Sequence, residues 1–234
     1  MNKKPTILAV AALGSLALIG TGFAGWVIAA NAETSAEGTI TAYEVTDNRL
    51  EIVGNSGSWD ANNGSIVFGK PNGYTKGSEW FFAANDVAEE ILKGTYSLKV
   101  KSKNAGDNGN VKVSCTDITV QEDTNDVYKG AINKGLITKP TITIKSGETS
   151  VDDGGTVALA AEGVDLAFTV QFGWGSHFGG ENPYAYYKDK GVNSTISEGT
   201  SETYGDDALA SLQAIKGLNG LKFSFTISLD RAEA

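Results

Sequence analysis

The most constraining feature of this sequence is the strict alternation of apolar and polar residues in its last long run, LKFSFTISL (221–229). Leu221, Phe223, Phe225, Ile227 and Leu229 alternate there with lysine, serine and threonine. Because successive side chains of a β-strand point to opposite faces, this pattern predicts a strand with one face in a core and the other in water.

Further runs with alternation or many β-branched residues predict additional strands. Turn sequences such as Asn63-Gly64, Asn108-Gly109 and Asn219-Gly220 separate several of them. The chain has 29 glycines and 4 prolines, a balance that fits many turns between short strands. The predicted strands are 38–45, 48–53, 65–69, 95–102, 111–115, 141–145, 156–161, 166–172 and 221–229.

Two stretches predict short helices. Asn85 is placed to cap DVAEEILK, and Gly94 is placed to end it. In DALASLQAIK (207–216), Leu209, Leu212 and Ile215 form one apolar stripe at helical spacing. Many strands with two short helical insertions predict an all-β fold, a sandwich of jelly-roll type.

The N-terminus carries the features of a secretory signal peptide. A basic start (Met1–Lys4) precedes a run from Ile7 to Ala30 without any charged residue, and Ala30-Asn31-Ala32 ends that run with small residues. We therefore expect a signal peptide over 1–32 and a single β-sandwich domain over 33–234. The run is also long enough to cross a bilayer, so an uncleaved membrane anchor is the alternative.

Charge limits the partners of the exported chain. The net charge is −9, and residues 1–32 contribute two lysines and no acidic residue, so processing changes the net charge to −11. Nucleic-acid affinity depends on neutralising phosphates, so we expect no nucleic-acid partner. The predicted location is secreted, in an extracellular matrix or at the cell surface.

Catalytic and metal-binding motifs are missing from the sequence. His177 is the only histidine and Cys115 the only cysteine, which excludes H-E-x-x-H sites and Cys/His zinc sites. No G-x-S-x-G elbow and no nucleotide-binding motif is present. We expect no enzyme activity, no catalytic residue, no metal and no cofactor.

Three further polar features have ordinary structural interpretations. Cys115 is in phase with Val111 and Val113, which predicts a small buried residue on a strand rather than a reactive thiol. Asp152-Asp153-Gly154-Gly155 predicts a hairpin turn, with a calcium site as the less favoured alternative. Asn193-Ser194-Thr195 matches a glycosylation sequon, and the sequence leaves open whether it is used.

The stretch FGWGSHFGGENPYAYY (172–187) concentrates aromatic residues after a predicted strand. The favoured interpretation is a compact loop that covers one end of the sandwich. The alternative is a binding loop, since exposed aromatic rings stack on sugars or bury at protein interfaces. The candidate binding residues are Trp174, Phe178, Tyr184, Tyr186 and Tyr187.

Three features together resemble the camelysin/TasA family of exported biofilm-fibre proteins. The run ALGSLALIGTGFAGWV resembles the signal peptides handled by SipW-type signal peptidases, and its exit leads directly into GTITAYEV. The chain then closes with ALASLQAIKGLNGLKFSFTISL, a helix followed by a long alternating strand. The resemblance covers the two ends and the β-rich middle, and it does not extend to the 172–187 loop.

The resemblance implies a jelly-roll subunit that polymerises into extracellular fibres, in which an N-terminal strand of one subunit completes the sheet of the next. The matching segment here is Glu33 to Val45. An open sheet edge has unpaired N–H and C=O groups that such a strand can bind. The implied partners are further copies of the chain and a signal peptidase. The candidate donor-strand residues are Thr39, Ile40, Thr41, Tyr43 and Val45.

Two functions therefore remain as expectations. The first is a structural subunit of a surface or matrix fibre, assembled by exchange of the N-terminal strand. The second is a cell-surface module that binds carbohydrate or protein through the aromatic loop, with cell-wall or matrix polysaccharide as a partner.

Overall fold

The structure, a computed structural model, describes residues 26–29, 38–54, 57–60, 65–66, 68, 92–104, 106, 109–121, 123, 125–190 and 205–232. Strands dominate this part of the chain. The strands are β1 (Trp26–Ala29), β2 (Gly38–Thr46), β3 (Leu50–Ile52), β4 (Ser58–Trp59), β5 (Ser65–Ile66), β6 (Lys93–Ser102), β7 (Asn110–Cys115), β8 (Thr119–Gln121), β9 (Thr141–Ser146), β10 (Thr149–Val151), β11 (Gly155–Ala158), β12 (Val164–Gln171) and β13 (Lys222–Ala232). The helices are α1 (Val127–Asn133), α2 (Pro183–Asp189) and α3 (Gly205–Lys216), with a 3₁₀ turn at Ser176–Phe178.

The strands form two sheets that pack as a sandwich. Sheet A has the order β1-β2-β13-β7-β11, with β5 beside β2 and β8 beside β13. Sheet B has the order β10-β9-β12-β6-β3, with β4 beside β6. Among the described pairs, β2 with β13 is parallel and the others are antiparallel. The predicted all-β sandwich with few helical insertions is confirmed.

The core follows from the alternation along the longest strands. Phe223, Phe225, Ile227 and Leu229 of β13 are buried, as the sequence predicts. The strands β6 and β12 bury the same kind of alternating residues from sheet B. Burying a large apolar side chain contributes roughly 1.5–3 kcal/mol, so this shared interior holds the two sheets together. The buried residues contributed by β6 and β12 are Tyr96, Leu98, Val100, Leu166, Phe168 and Val170.

The turn at Asp152–Gly155 corrects one prediction. It joins β10 to β11, and these strands lie in different sheets, so it is a crossing between sheets and not a hairpin turn. Gly154 has φ 77°, a left-handed conformation that glycine adopts without strain, and the Gly155 N–H donates to the Asp152 carbonyl at 2.8 Å. The sequence Asp-Asp-Gly-Gly thus specifies a tight turn, but it does not specify which strands the turn joins.

The helices match the predictions only in part. The predicted helix at 207–216 is confirmed as α3, with Ile215 buried, while the side chains of Leu209 and Leu212 lie outside the described part. The helix predicted to end at Gly94 is wrong at its end, because Lys93 and Gly94 are in β6 and pair with β12. Its residues 85–91 lie outside the described residues.

Candidate functional site

The five candidate donor residues all lie in β2. This strand runs parallel to β13 from Thr39, opposite Lys222, to Thr46, opposite Leu229. Its inward residues Ile40 and Ala42 are buried in the sandwich core. In the single chain, the predicted donor strand therefore completes the sheet of its own subunit. To pair with a second subunit, this strand would have to leave its place beside β13.

The outer edge of β2, on the side away from β13, is covered by two short strands. β1 pairs antiparallel with the stretch from Tyr43 to Thr46, and β5 pairs with Gly38 and Thr39. β1 comes from residues 26–29, which lie within the predicted signal peptide. Cleavage after Ala32 would thus leave the outer edge over Ile40–Thr46, which we call the β2 edge, without a strand partner among the described residues.

A buried hydrogen bond attaches β2 to the opposite sheet. The Tyr96 hydroxyl of β6 donates to Glu44 Oε1 at 2.6 Å, and the two residues are only 2% and 3% exposed. Burial raises the pKa of Glu44, and the same cause raises the pKa of Tyr96. A Cβ at Gly57 would collide with both oxygen-bearing side chains, so the chain passes over this bond without a side chain there.

Asp47 fixes the end of β2. Its carboxylate accepts hydrogen bonds from the Arg49 side chain at 2.6 Å, from the Arg49 N–H at 2.9 Å and from the Arg231 N–H of β13 at 3.2 Å. These bonds favour the charged form, the Arg49 side chain most of all, and lower the pKa of Asp47 to about 2. The turn between β2 and β3 is thereby tied to β13.

The second region with candidate residues is the aromatic loop over 172–187, and most of its described rings pack inward. Trp174, Phe178 and Tyr187 are 4%, 0% and 0% exposed. Phe178 lies edge-on to Trp174 and Tyr187, with ring centroids 6.2 and 5.9 Å apart. Tyr186 is partly exposed, and the side chain of Tyr184 lies outside the described part. Three of the five candidate binding residues are therefore part of the hydrophobic core, and none of these three presents an open ring face for a sugar.

A polar cluster around the single histidine connects this loop to α3. His177 Nε2 is 3.1 Å from the Tyr187 hydroxyl, 3.2 Å from Ser211 Oγ and 3.3 Å from Asp207 Oδ2. The Tyr187 hydroxyl also donates to Asp207 Oδ2 at 2.8 Å, and burial raises the pKa of Tyr187. The sequence analysis missed Ser211 and Asp207, whose i, i+4 spacing on α3 was the available signal.

The geometry of this cluster differs from that of a serine hydrolase. A catalytic triad needs the serine on one ring nitrogen of the histidine and the acid on the other, so that the acid orients the base. Here Ser211, Asp207 and Tyr187 all contact the same nitrogen of His177. What the cluster does is join the loop, α2 and α3 by hydrogen bonds.

Cys115 is at the end of β7, as predicted, but it is half-buried rather than fully buried. Its N–H donates to Asp153 Oδ1 at 2.8 Å. Burial, with the nearby carboxylates, raises the pKa of the thiol to about 11. The thiol is therefore protonated at neutral pH and lacks the reactive thiolate form.

Metal sites, membrane spans and known relatives give no further lead. Within the part of the chain that the structure describes, no group of three or more His, Cys, Asp or Glu side chains is arranged to hold a metal ion. The helices of this part are all too short, or too polar, to span a membrane. Comparisons with protein-family models, with curated proteins and with solved structures find no match for this chain.

Proposed function

We propose that this chain is an exported structural subunit, which polymerises outside the cell into fibres by exchanging β2 between copies. Each subunit would place its β2 beside the β13 of a neighbour, in the register that β2 has with β13 within one chain. Exchange of one identical element between subunits is a low-cost route to association, because the pairing that β2 gives up in its own chain is restored in the neighbour. Head-to-tail exchange that does not close on itself gives a filament.

The observation that supports this proposal is the position of β2. It is a nine-residue strand that begins at Gly38, shortly after the predicted cleavage site at Ala32, and its outer partner β1 belongs to the predicted signal peptide. Processing would therefore create a free N-terminus and an uncovered sheet edge at the same time. Uncovered edges are the parts of β-sheets most prone to pair with another chain.

The contacts of β2 are specific enough to direct such an exchange. Glu44 accepts a hydrogen bond from the Tyr96 hydroxyl, and Asp47 accepts one from the Arg231 N–H. An exchanged segment would need the same two donors from the neighbouring chain. A foreign strand with an apolar residue in place of Glu44 would leave the buried Tyr96 hydroxyl without its acceptor, which costs about 1–3 kcal/mol. The sequence of β2 thus favours a second copy over other strands.

The second candidate is a module that binds carbohydrate or protein through the aromatic loop. Its support is the partly exposed ring of Tyr186, with Lys190 Nζ 5.5 Å from the ring centroid. One such ring gives a smaller stacking surface than the five residues of the prediction. A processed protein that remains monomeric and binds matrix polysaccharide would favour this second function.

Electron microscopy of the processed protein, residues 33–234, tests the proposal. We expect filaments, and we expect Ile40→Asp to prevent them, because Ile40 is 1% exposed and a buried unpaired carboxylate is strongly disfavoured. The matched control is Asn48→Asp, which adds the same charge at an exposed position just after β2. A processed protein that stays monomeric at high concentration would contradict the proposal.

The state of the N-terminus in the exported protein is a separate test. We expect sequencing of the extracellular protein to give a start at Glu33, since Ala30-Asn31-Ala32 matches a signal-peptidase site. An intact Met1 in that fraction would favour the membrane anchor.

A further inference from the structure

We infer that β1 is a removable cover that holds β2 in its own subunit before processing, and that its removal admits β2 of a second copy of the chain. This inference rests on the proposed function and adds a step that regulates association. The observation behind it is the pairing of β1 with β2.

The geometry of the cover is a regular antiparallel ladder. Trp26 is opposite Thr46, Val27 opposite Val45, Ile28 opposite Glu44 and Ala29 opposite Tyr43. The same stretch of β2 is paired on its other side with β13, from Thr226 to Leu229. With β1 present, the backbone of Tyr43–Thr46 is therefore hydrogen-bonded on both sides, and withdrawal of β2 must break both ladders.

Removing β1 takes away strand pairing at one end of β2 only. The cover at the other end, β5, pairs with Gly38 and Thr39 and does not reach Tyr43–Thr46. After processing, β13 is the remaining strand neighbour of Tyr43–Thr46 among the described residues. The outward N–H and C=O groups of this stretch then face solvent, which makes opening of β2 easier.

The occupant of the vacated place is a second copy of this chain, through its own β2. The place beside β13 is lined by groups that require a particular sequence: the Tyr96 hydroxyl needs an acceptor, and the Arg231 N–H needs the carboxylate of Asp47. Within the chain, Glu44 of β2 and Asp47, the residue directly after β2, supply these two groups, and processing frees the same segment in every copy.

The experiment compares three proteins in the same mild detergent: the full chain 1–234, the full chain with Val27→Pro and Ile28→Pro, and the processed chain 33–234. The two prolines remove N–H donors and prevent β1 from pairing, while the predicted signal peptide stays attached. We measure amide hydrogen exchange at Tyr43–Thr46 at low concentration, and filament growth by light scattering at high concentration. We expect exchange at Tyr43–Thr46 to be roughly ten-fold slower in the full chain than in the other two.

The two readouts separate the cover from the proposed function. We expect the full chain not to grow filaments, the processed chain to grow them, and the proline variant to behave like the processed chain in amide exchange. Equal amide exchange and equal filament growth in all three proteins would overturn the inference that β1 holds β2 in place. The fibre proposal would still stand. A processed chain with fast exchange at Tyr43–Thr46 that never associates would overturn the fibre proposal and the entry of a second copy.

Discussion

The β2 edge and the aromatic loop differ in the contacts that dominate each of them. β2 is held by backbone ladders and by two polar anchors, Glu44 and Asp47, and one of its neighbours belongs to a segment that processing is expected to remove. The aromatic loop is held by buried rings, with Phe178 and Tyr187 fully enclosed.

This difference predicts which contacts a second copy of the chain could restore. Backbone pairing and hydrogen bonds reform equally well with a second copy, because any copy supplies the same groups. Buried aromatic packing depends on one local arrangement, and large-to-small changes there leave cavities. We therefore expect changes in the loop to act on the stability of the subunit, and changes in β2 to act on association as well.

The largest effect is expected for Phe178→Ala. Phe178 is 0% exposed and contacts the rings of Trp174, Tyr186 and Tyr187, so its removal should cost about 3–5 kcal/mol of unfolding free energy. Chemical denaturation measures this. Tyr186→Ala, at a partly exposed neighbouring ring, is the control and should cost clearly less. Equal, small losses in both variants would show that the loop is not a packed region.

Asp47→Asn should have the next largest effect on the free energy of unfolding, and it should act at the end of β2. We expect a loss of about 1–3 kcal/mol at pH 7, because hydrogen bonds to a charged carboxylate are weakened. The folded-state pKa of about 2 is below the unfolded value, so this contribution is present at neutral pH and is lost as the pH falls from about 4 towards 2. Denaturation across that pH range should show a flatter dependence in the variant. Asp165→Asn, whose side chain is 77% exposed, is the control that should keep the parental curve.

Glu44→Gln should have a smaller effect of opposite sign. The amide oxygen can still accept from Tyr96, while the cost of burying a charge disappears, so we expect a gain on the order of 1 kcal/mol at neutral pH. Burial raises the pKa of Glu44, so the parental protein loses stability as the pH rises past the ordinary glutamate range, and the variant should not. Glu51→Gln at a more exposed ion pair serves as the control. A variant less stable than its parent at neutral pH would mean that the charged form is the favoured one.

Cys115→Ser should have the smallest effect. The thiol is half-buried, so the added hydroxyl keeps some contact with water and the expected loss is about 0.5–1 kcal/mol. Export and filament formation should be unchanged, because a lone thiol has no disulfide partner within the chain. Loss of filaments with a normal melting curve would instead indicate a disulfide between chains.

The sequence predicted those parts of the fold where alternation is long enough to define a strand. β6, β12 and β13 were found because each buries a regular series of apolar residues. β8 and β10 were missed because they are three-residue strands with little burial, held by pairing to longer neighbours. α1 was missed because its first turn is stabilised from outside the helix, by Asp123 accepting from the Val127 N–H at 2.7 Å.

The candidate sites were predicted less completely, for a related reason. The grouping of Trp174, Phe178 and Tyr187 follows from their closeness in sequence, but whether such rings face water or a core depends on packing that only the fold defines. The partners Glu44 and Tyr96 are far apart in sequence and meet across two sheets, which no local pattern specifies. The pairing of β1 with β2 could not be predicted from the sequence either, because the apolar residues 26–29 fit a signal peptide as well as a strand.

Disulfide trapping across β2 and β13 tests the exchange of β2 most directly. Tyr43 and Thr226 are opposite each other in these strands, so Tyr43→Cys with Thr226→Cys, in a Cys115→Ser background, should form a disulfide wherever the two strands pair. Thr95→Cys with Thr169→Cys, across β6 and β12, is the control pair that should link only within one chain. After oxidation of filaments, we predict a ladder of linked chains on non-reducing gels for the first pair and a monomer band for the control. A monomer band for both pairs in filaments would contradict the exchange of β2.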